Sequence, residues 1–341
     1  MAGTSTERQD MHFCAGRRRL LSSTAATGLG LVAASLGVPR AIAQTSTSPI
    51  DLIVPGGPGA GTDVAARVAA KGLADHLGRS VVVKNIPGAG GTIAAQMGAR
   101  AKPDGNTLFF AITGTHTVNQ FLYDKLPYDP KADFAPISLV CKYNNVLVVR
   151  PEFPAKKVDE VIAFLRANPG KYFYGITFNG SSSHLAMELL KREAHLDLAG
   201  VAYKSAAAAV TDFLGGQYPV LMDTVINQLQ HIRGGKVFAV ATTGAKRSPV
   251  LPEIPTFVES GFPTVEAIGW AGVMAPAGTP AGLIAQFNQA LKATIASNAF
   301  DGLNSSGLET QYTTPEEMAA FIDRESARWG RLVKSAQIKP S

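Results

Sequence analysis

The sequence predicts an α/β fold of two lobes joined by two chain crossings. Three observations carry that expectation. Apolar runs of strand length alternate with amphipathic helical patterns from residue 50 onward. Three successive strands end in Gly- or Thr-rich turns that open helices. The runs at residues 136–141 and 145–150 then follow one another with no helix between them, as where a chain crosses into a second lobe.

The first strand, residues 50–54, leads into Pro55, Gly56, Gly57, Pro58, Gly59, Ala60 and Gly61. A helix over residues 64–77 follows, with Val64, Val68, Leu73 and Leu77 expected on its buried face and Thr62 or Asp63 as its N-cap. Strand 80–84 ends in a second such turn containing Gly88, Ala89 and Gly90, which opens a helix over residues 92–102. Strand 107–112 ends in Thr113, Gly114, Thr115 and His116, with a helix continuing through residue 123. In an open α/β sheet these turns gather at the carboxyl edge, where ligands bind.

The rhythm resumes in the second lobe with helix 158–168 and strand 172–177, which ends in Asn179-Gly180-Ser181-Ser182-Ser183-His184. Helix 184–195, strand 200–204, Ser205 and helix 206–214 come next. Strand 218–222 ends at Asp223-Thr224, followed by a short helix to residue 233 and strand 236–242. Pro249, Pro252, Pro255 and Pro263 break regular structure until strand 270–274 returns the chain. Thr279-Pro280 reads as the start of one helix, with Thr279 as N-cap and the proline in the first turn, and Thr314-Pro315-Glu316-Glu317 as a capping box on the last. The first lobe is thus expected to comprise residues 44–142 with 271–341, and the second residues 143–270.

The glycine-rich loop after the first strand suits an anion, because small residues let backbone amides approach it and a helix N-terminus points into it. The anion is not a nucleotide: the lysine of a phosphate-binding P-loop is absent, and the next strand ends in Lys84-Asn85 without a ribose-binding carboxylate. A small carboxylate held by neutral donors is the better match. The hydroxyls of Thr113, Thr115, Ser181, Ser182 and Ser183 are candidate donors, or turn and cap residues. His116 and His184 are candidate contacts, His184 equally a capping residue. Lys204 would meet a ligand or pair with a carboxylate such as Asp223. Asp223 repels a carboxylate and would instead orient water, a ligand hydroxyl or amine, or serve structure.

The chain has 341 residues, 46% hydrophobic, enough for two cores. Residues 1–43 read as an export signal: Arg17-Arg18-Arg19-Leu20-Leu21, a mildly apolar stretch and Ala41-Ile42-Ala43, with cleavage expected near Ala43-Gln44. The two leading arginines and leucines fit a twin-arginine signal, and a Sec signal is also compatible. Without that segment 27 basic and 24 acidic residues remain, a net charge of +3 and no nucleic-acid footprint. Cys14 leaves with the signal, so Cys141 has no partner for an intramolecular disulfide. The six histidines show no metal-ligand spacing, and no cofactor is expected. No Gly-x-Ser-x-Gly elbow occurs.

Taken in order, several short segments resemble the Bug family of periplasmic solute receptors for tripartite tricarboxylate transporters. They include Ile53 through Asp63, Asn85 through Gly91, Pro103-Asp104-Gly105 and Tyr128-Asp129-Pro130. Ser183-His184-Leu185-Ala186-Met187-Glu188-Leu189, Tyr203-Lys204 and Asp212-Phe213-Leu214-Gly215-Gly216-Gln217 continue the series. Leu251-Pro252-Glu253-Ile254-Pro255-Thr256 and Ala275-Pro276-Ala277-Gly278-Thr279-Pro280 complete it.

The resemblance implies a two-lobed type II periplasmic binding protein fold with a hinge of two crossing segments. It also implies capture of a small carboxylate without chemistry, and delivery to a tripartite permease by a monomeric receptor. Ligand contacts would fall at residues 55–63, 87–91 and 113–116 in the first lobe, and at Ser181 to His184, Lys204-Ser205 and Asp223 in the second. A ligand sensor for a signalling partner and a periplasmic hydrolase are the rival readings. The chain departs from the family pattern where Gly56 stands for a bulky residue and Ala60 for a glycine, and where Ala202 and Ser205 flank Tyr203-Lys204 in place of proline and glycine. The lost ring opens volume, so a larger, for example aromatic, carboxylate is expected.

Overall fold

The computed structural model describes residues 48–203 and 205–336. The export signal over residues 1–43, its cleavage point at Ala43-Gln44, and Lys204 lie outside the described residues.

The first sheet begins with β1 (Ile50–Val54), α1 (Gly61–Leu77), β2 (Val81–Asn85), α2 (Thr92–Ala99) and β3 (Thr107–Ile112). A five-residue π-type turn over Gly114–Val118 precedes α3 (Asn119–Leu122) and the long β4 (Phe134–Tyr143). One residue later β5 (Asn145–Val149) opens a second sheet, followed by α4 (Val158–Arg166), β6 (Phe173–Ile176), α5 (Ser182–Glu193) and β7 (Ala199–Ala202). Then come α6 (Ala206–Leu214), β8 (Val220–Thr224), α7 (Val225–Arg233) and β9 (Phe238–Thr242). The chain returns through β10 (Gly269–Pro276), α8 (Ala281–Ala296), α9 (Asp301–Asn304), β11 (Leu308–Thr310) and α10 (Pro315–Ala336).

The strand orders are β11-β4-β10-β3-β1-β2 and β7-β6-β8-β5-β9. In the first sheet β1 pairs parallel with β2 and β3, while β10 runs antiparallel between β3 and β4. In the second, β6 pairs parallel with β7 and β8, and β5 runs antiparallel between β8 and β9. The carboxyl ends of β1, β2, β3 and β4 therefore share one edge, as do those of β6, β7 and β8. The chain crosses at both of those edges, between Tyr143 and Asn145 and again between Thr242 and Gly269.

Each sheet has apolar residues packed on both faces, as buried strands in α/β folds require. The C-terminal helix α10 serves both: Met318, Phe321 and Ile322 pack into a first-sheet core, whereas Trp329 and Val333 pack into a second-sheet core.

Most expected elements form, with ends that differ for local reasons. Helix α1 starts at Gly61 with Ala60 as N-cap, so neither Thr62 nor Asp63 caps it. Asp63 Oδ2 instead accepts the N–H of Gly59 at 2.9 Å and stiffens the loop. The face of α1 that is buried carries Ala65, Ala66, Ala69, Ala70 and Leu73, while Val64 is exposed. Of the expected face, Leu73 is buried and Val68 and Leu77 pack partly against the same core, and only Val64 turns outward. Thr279 does not cap α8: its hydroxyl donates to the carbonyl of Pro276, and Pro280 is the N-cap. The capping box of α10 does form, Thr314 N–H donating to Glu317 Oε2 at 2.8 Å and Glu317 N–H to Thr314 Oγ1 at 3.2 Å. Strand β11 and helix α9, three and four residues long, are too short to leave a periodic signal.

Gly272 lies in the middle of β10 beside a shift in its register with β4. A Cβ there would stand 2.7 Å from both the carbonyl oxygen of Ser138 and Met318 Cε. Gly272→Ala should therefore destabilise the protein by about 1–3 kcal/mol, because part of the clash is with backbone that cannot move aside. Urea unfolding followed by circular dichroism measures this; an unchanged midpoint would mean that β4 yields freely.

Candidate functional site

The carboxyl edges of the two sheets face a common cavity of about 620 Å³. The first sheet contributes Pro55, Gly56, Gly57, Ala60, Gly61 and Thr62 after β1, and Pro87, Gly88, Ala89 and Gly90 after β2. The second contributes Ser181, Ser182 and Ser183 at the start of α5, Ser205 before α6, and Asp223 at the end of β8. These expected residues are thus brought together around one space.

Others are not. Pro58 and Gly59 line a second hollow, of about 800 Å³, between the same loop and helices α6 and α7. Asp63 is buried beneath the loop, accepting bonds from Gly59, from Arg67 Nε at 3.0 Å and from Asn85 Nδ2 at 2.9 Å. Burial would raise its carboxyl pKa, but those donors outweigh it and hold the group below the usual range. Thr113 Oγ1 accepts the N–H of Trp270 at 2.9 Å and ties β3 to β10. Thr115 Oγ1 bonds to Ile112 and to His116 Nδ1, and the His116 ring packs edge-on against Phe134 with centroids 4.7 Å apart. Thr113, Thr115 and His116 are therefore interior residues that shape the turn from behind, and none lines the cavity. His184 is buried in the first turns of α5, where its Nδ1 accepts the N–H of Gly180 at 3.2 Å and Ser181 Oγ caps its own N–H. Lys204 lies outside the described residues, next to the lining residues Tyr203 and Ser205.

Sequence reasoning missed the rings. Tyr123, Tyr143, Phe178 and Tyr203 all line the cavity, together with the polar Thr177, Thr224 and Asn227. Tyr143 ends β4 and Phe178 follows β6, so both sit at the same carboxyl edges as the loops. An aromatic at a strand's carboxyl end was the available signal.

Asn227 also joins the two sides. Its Oδ1 accepts the N–H of Gly61, in the first turn of α1, at 3.2 Å, while its Nδ2 donates to Asp223 Oδ1 at 3.2 Å. A further close approach lies at Gly180, where a Cβ would be 2.8 Å from Asn119 Oδ1. The cavity wall is therefore neutral donors and aromatic faces. Among the described lining residues Asp223 carries the only carboxylate, and none is Lys, Arg or His. Burial pushes the Asp223 carboxyl upward, with Gln228, the Thr224 backbone and Asn227 acting against it. What the described lining residues offer is shape and hydrogen bonds. Among the described residues no group of three His, Cys, Asp or Glu is placed to hold a metal ion.

The family model for the tripartite tricarboxylate transporter family receptor matches residues 65–338. A Pseudomonas protein encoded in the tcbD-tcbE intergenic region is 34% identical over 320 residues, covering 93% of this chain and 94% of its own. Protein BugT of Bordetella pertussis is 33% identical over 317 residues, covering 92% of this chain and 97% of its own. Among solved structures, Rpa4515 of R. palustris with adipate superposes with a TM-score of 0.83 at 33% identity, covering 86% of this chain and 99% of that one. MatC of Rhodopseudomonas palustris with bound malate does so at 0.79 and 31%, covering 84% and 99%.

The two buried histidines make the fold sensitive to acid. Burial lowers the pKa of His116 from 6.5 to about 3 and that of His184 to about 4. The folded state keeps both neutral, whereas the unfolded chain takes up protons below about pH 6.5. Their contribution is complete above pH 6.5 and is lost as the pH falls towards 4, and for His116 towards 3. His116→Leu should therefore make the drop in unfolding free energy between pH 7 and 4.5 smaller by about 2–3 kcal/mol. Denaturant titrations of both proteins at the two pH values test this, and parallel pH profiles would refute it.

Proposed function

Because the chain belongs to the tripartite tricarboxylate transporter receptor family, we propose that it captures a small organic carboxylate in the periplasm and presents it to a tripartite-type membrane permease. The observation that carries this reading is the character of the cavity: two sets of strand ends meet around about 620 Å³. Its wall combines glycine-rich backbone, serine and threonine hydroxyls and four aromatic rings, with no described cationic side chain. A carboxylate in such a place is held by several neutral N–H and O–H donors and by the partial positive charge at the start of α1. The family and the structural neighbours are binding proteins, and the neighbours Rpa4515 and MatC were solved with adipate and malate. The arginine-rich segment ending near Ala43-Gln44 supports export.

Closure follows from the same geometry. A ligand that touches both the loop after β1 and the start of α5 favours the arrangement in which these surfaces meet, by the difference in its affinity for the two forms. A micromolar dissociation constant corresponds to about −8 kcal/mol, within reach of a few charge-assisted bonds at about 1.5–3 kcal/mol each, less the cost of ordering.

The ligand we propose is bulkier than a four-carbon diacid. A Cβ on Gly56 would meet only Thr62 Oγ1, at 3.8 Å, so the position faces open space and lies beside the cavity. The cavity of about 620 Å³ is large enough for aromatic carboxylates of benzoate size, with Phe178, Tyr143 and Tyr203 in its wall to pack against a ring. Gly56→Phe should fill that space. We expect calorimetric affinity for aromatic carboxylates to fall at least tenfold, while small dicarboxylates such as malate are unaffected or bind more tightly. Small dicarboxylates as the sole binders of the unmodified protein, with no response to Gly56→Phe, would contradict the assignment.

A further inference from the structure

Two unlike surfaces line the cavity. One is the loop after β1 and the start of α1, made of glycine-rich backbone with the hydroxyl of Thr62. The other is Asp223 at the end of β8, 1% exposed and yet part of the cavity wall. Its Oδ2 accepts from Gln228 Nε2 at 2.8 Å. Asn227 Nδ2 is shared between its oxygens at 3.2 and 3.3 Å, and the backbone N–H of Thr224 adds a third donor. A carboxylate offers about four acceptor positions, so three donors leave one unfilled. The phenols of Tyr143, on β4, and Tyr218, just before β8, are near enough to feel its charge, though neither bonds to it. No ion pair to Asp223 forms among the described residues.

A buried carboxylate in this position discriminates by sign. A ligand with a second carboxylate at that end would set two like charges against each other in a space with little water to screen them. A ligand with an ammonium or hydroxyl group would complete the acceptor set. Truncation of such a donor would leave a buried acceptor unpaired, which is how polar sites reject analogues.

On the receptor reading above, we propose that Asp223 forms a second subsite selecting organic acids with a hydrogen-bond donor, an ammonium or a hydroxyl, opposite their carboxylate. Acids with carboxylates at both ends are disfavoured. Asn227 holds the Asp223 carboxylate in place and at the same time bonds the start of α1, so the donor end and the carboxylate end are read by one connected set of groups.

Isothermal titration with two matched sets of acids tests this. One set is adipate, 6-hydroxyhexanoate and 6-aminohexanoate; the other is benzene-1,4-dicarboxylate, 4-hydroxybenzoate and 4-(aminomethyl)benzoate. In at least one set a donor-bearing acid should bind the full chain at least tenfold more tightly than the dicarboxylate. Asp223→Asn should erase or invert that order, weakening the donor-bearing acid at least tenfold and strengthening the dicarboxylate. The proposal is overturned if the dicarboxylate is the tightest ligand of each set. It is also overturned if Asp223→Asn shifts all members of a set alike, as a structural role alone would. Should no acid in either set bind the unmodified protein, the receptor reading fails first and the subsite with it.

Discussion

The site depends on one small knot of hydrogen bonds where the chain passes between its sheets. Asn145 is the first residue of β5, and its Nδ2 donates to the carbonyl of Ala267 at 2.7 Å. Its backbone N–H donates to Thr243 Oγ1 at 3.0 Å, and Thr243 Oγ1 itself donates to Ala267 at 2.7 Å. Backbone bonds from Thr243 to Asn145 and from Ala267 to Thr243 close the knot. The outgoing and returning crossings are thereby clamped side by side, and all three residues are buried. Ser182, in the cavity wall, donates to Asn145 Oδ1 at 3.2 Å. A residue of the cavity wall is therefore one bond away from the place where the chain passes between its sheets. Buried polar networks of this kind are stable only when every member is satisfied.

From that clamp the remaining arrangement follows. Parallel strands send their carboxyl ends to one edge, and a crossing at that edge puts the two edges opposite each other. Loops that would be unremarkable on a single sheet become facing walls. Glycine-rich backbone dominates one wall and hydroxyls the other, so the enclosed space is lined mainly by neutral dipoles. Among the described lining residues the one carboxylate, Asp223, stands out against that background.

Much of this could be read from the chain alone, and the failures have a common cause. Strand β3 and helix α6 coincide with the periodic segments in the sequence, and the capping box of α10 forms as its residues demand. Loop residues flanked by strong strand and helix patterns, such as Gly56 and Ser181, were legible because topology alone sends them to the edge. Thr113, Thr115 and His116 were misjudged because a turn's sequence does not reveal which side of it is buried; here a π-type turn folds these side chains back onto Phe134 and Trp270. On α1 the expected Leu73, Val68 and Leu77 do pack on the core, but the alanines that share that face and the outward turn of Val64 were not legible, since hydrophobicity ranks valine above alanine. Tyr143, Phe178 and Asn227 were passed over because an aromatic or amide near a strand end carries no motif.

The C-terminal helix has a consequence for motion. Its first half is rooted among Phe321 and Ile322 with one sheet and its second half among Trp329 and Val333 with the other. A rod embedded at both ends ties the two sheets together, so any shift of one half against the other must bend α10 or slide one of its ends through its packing.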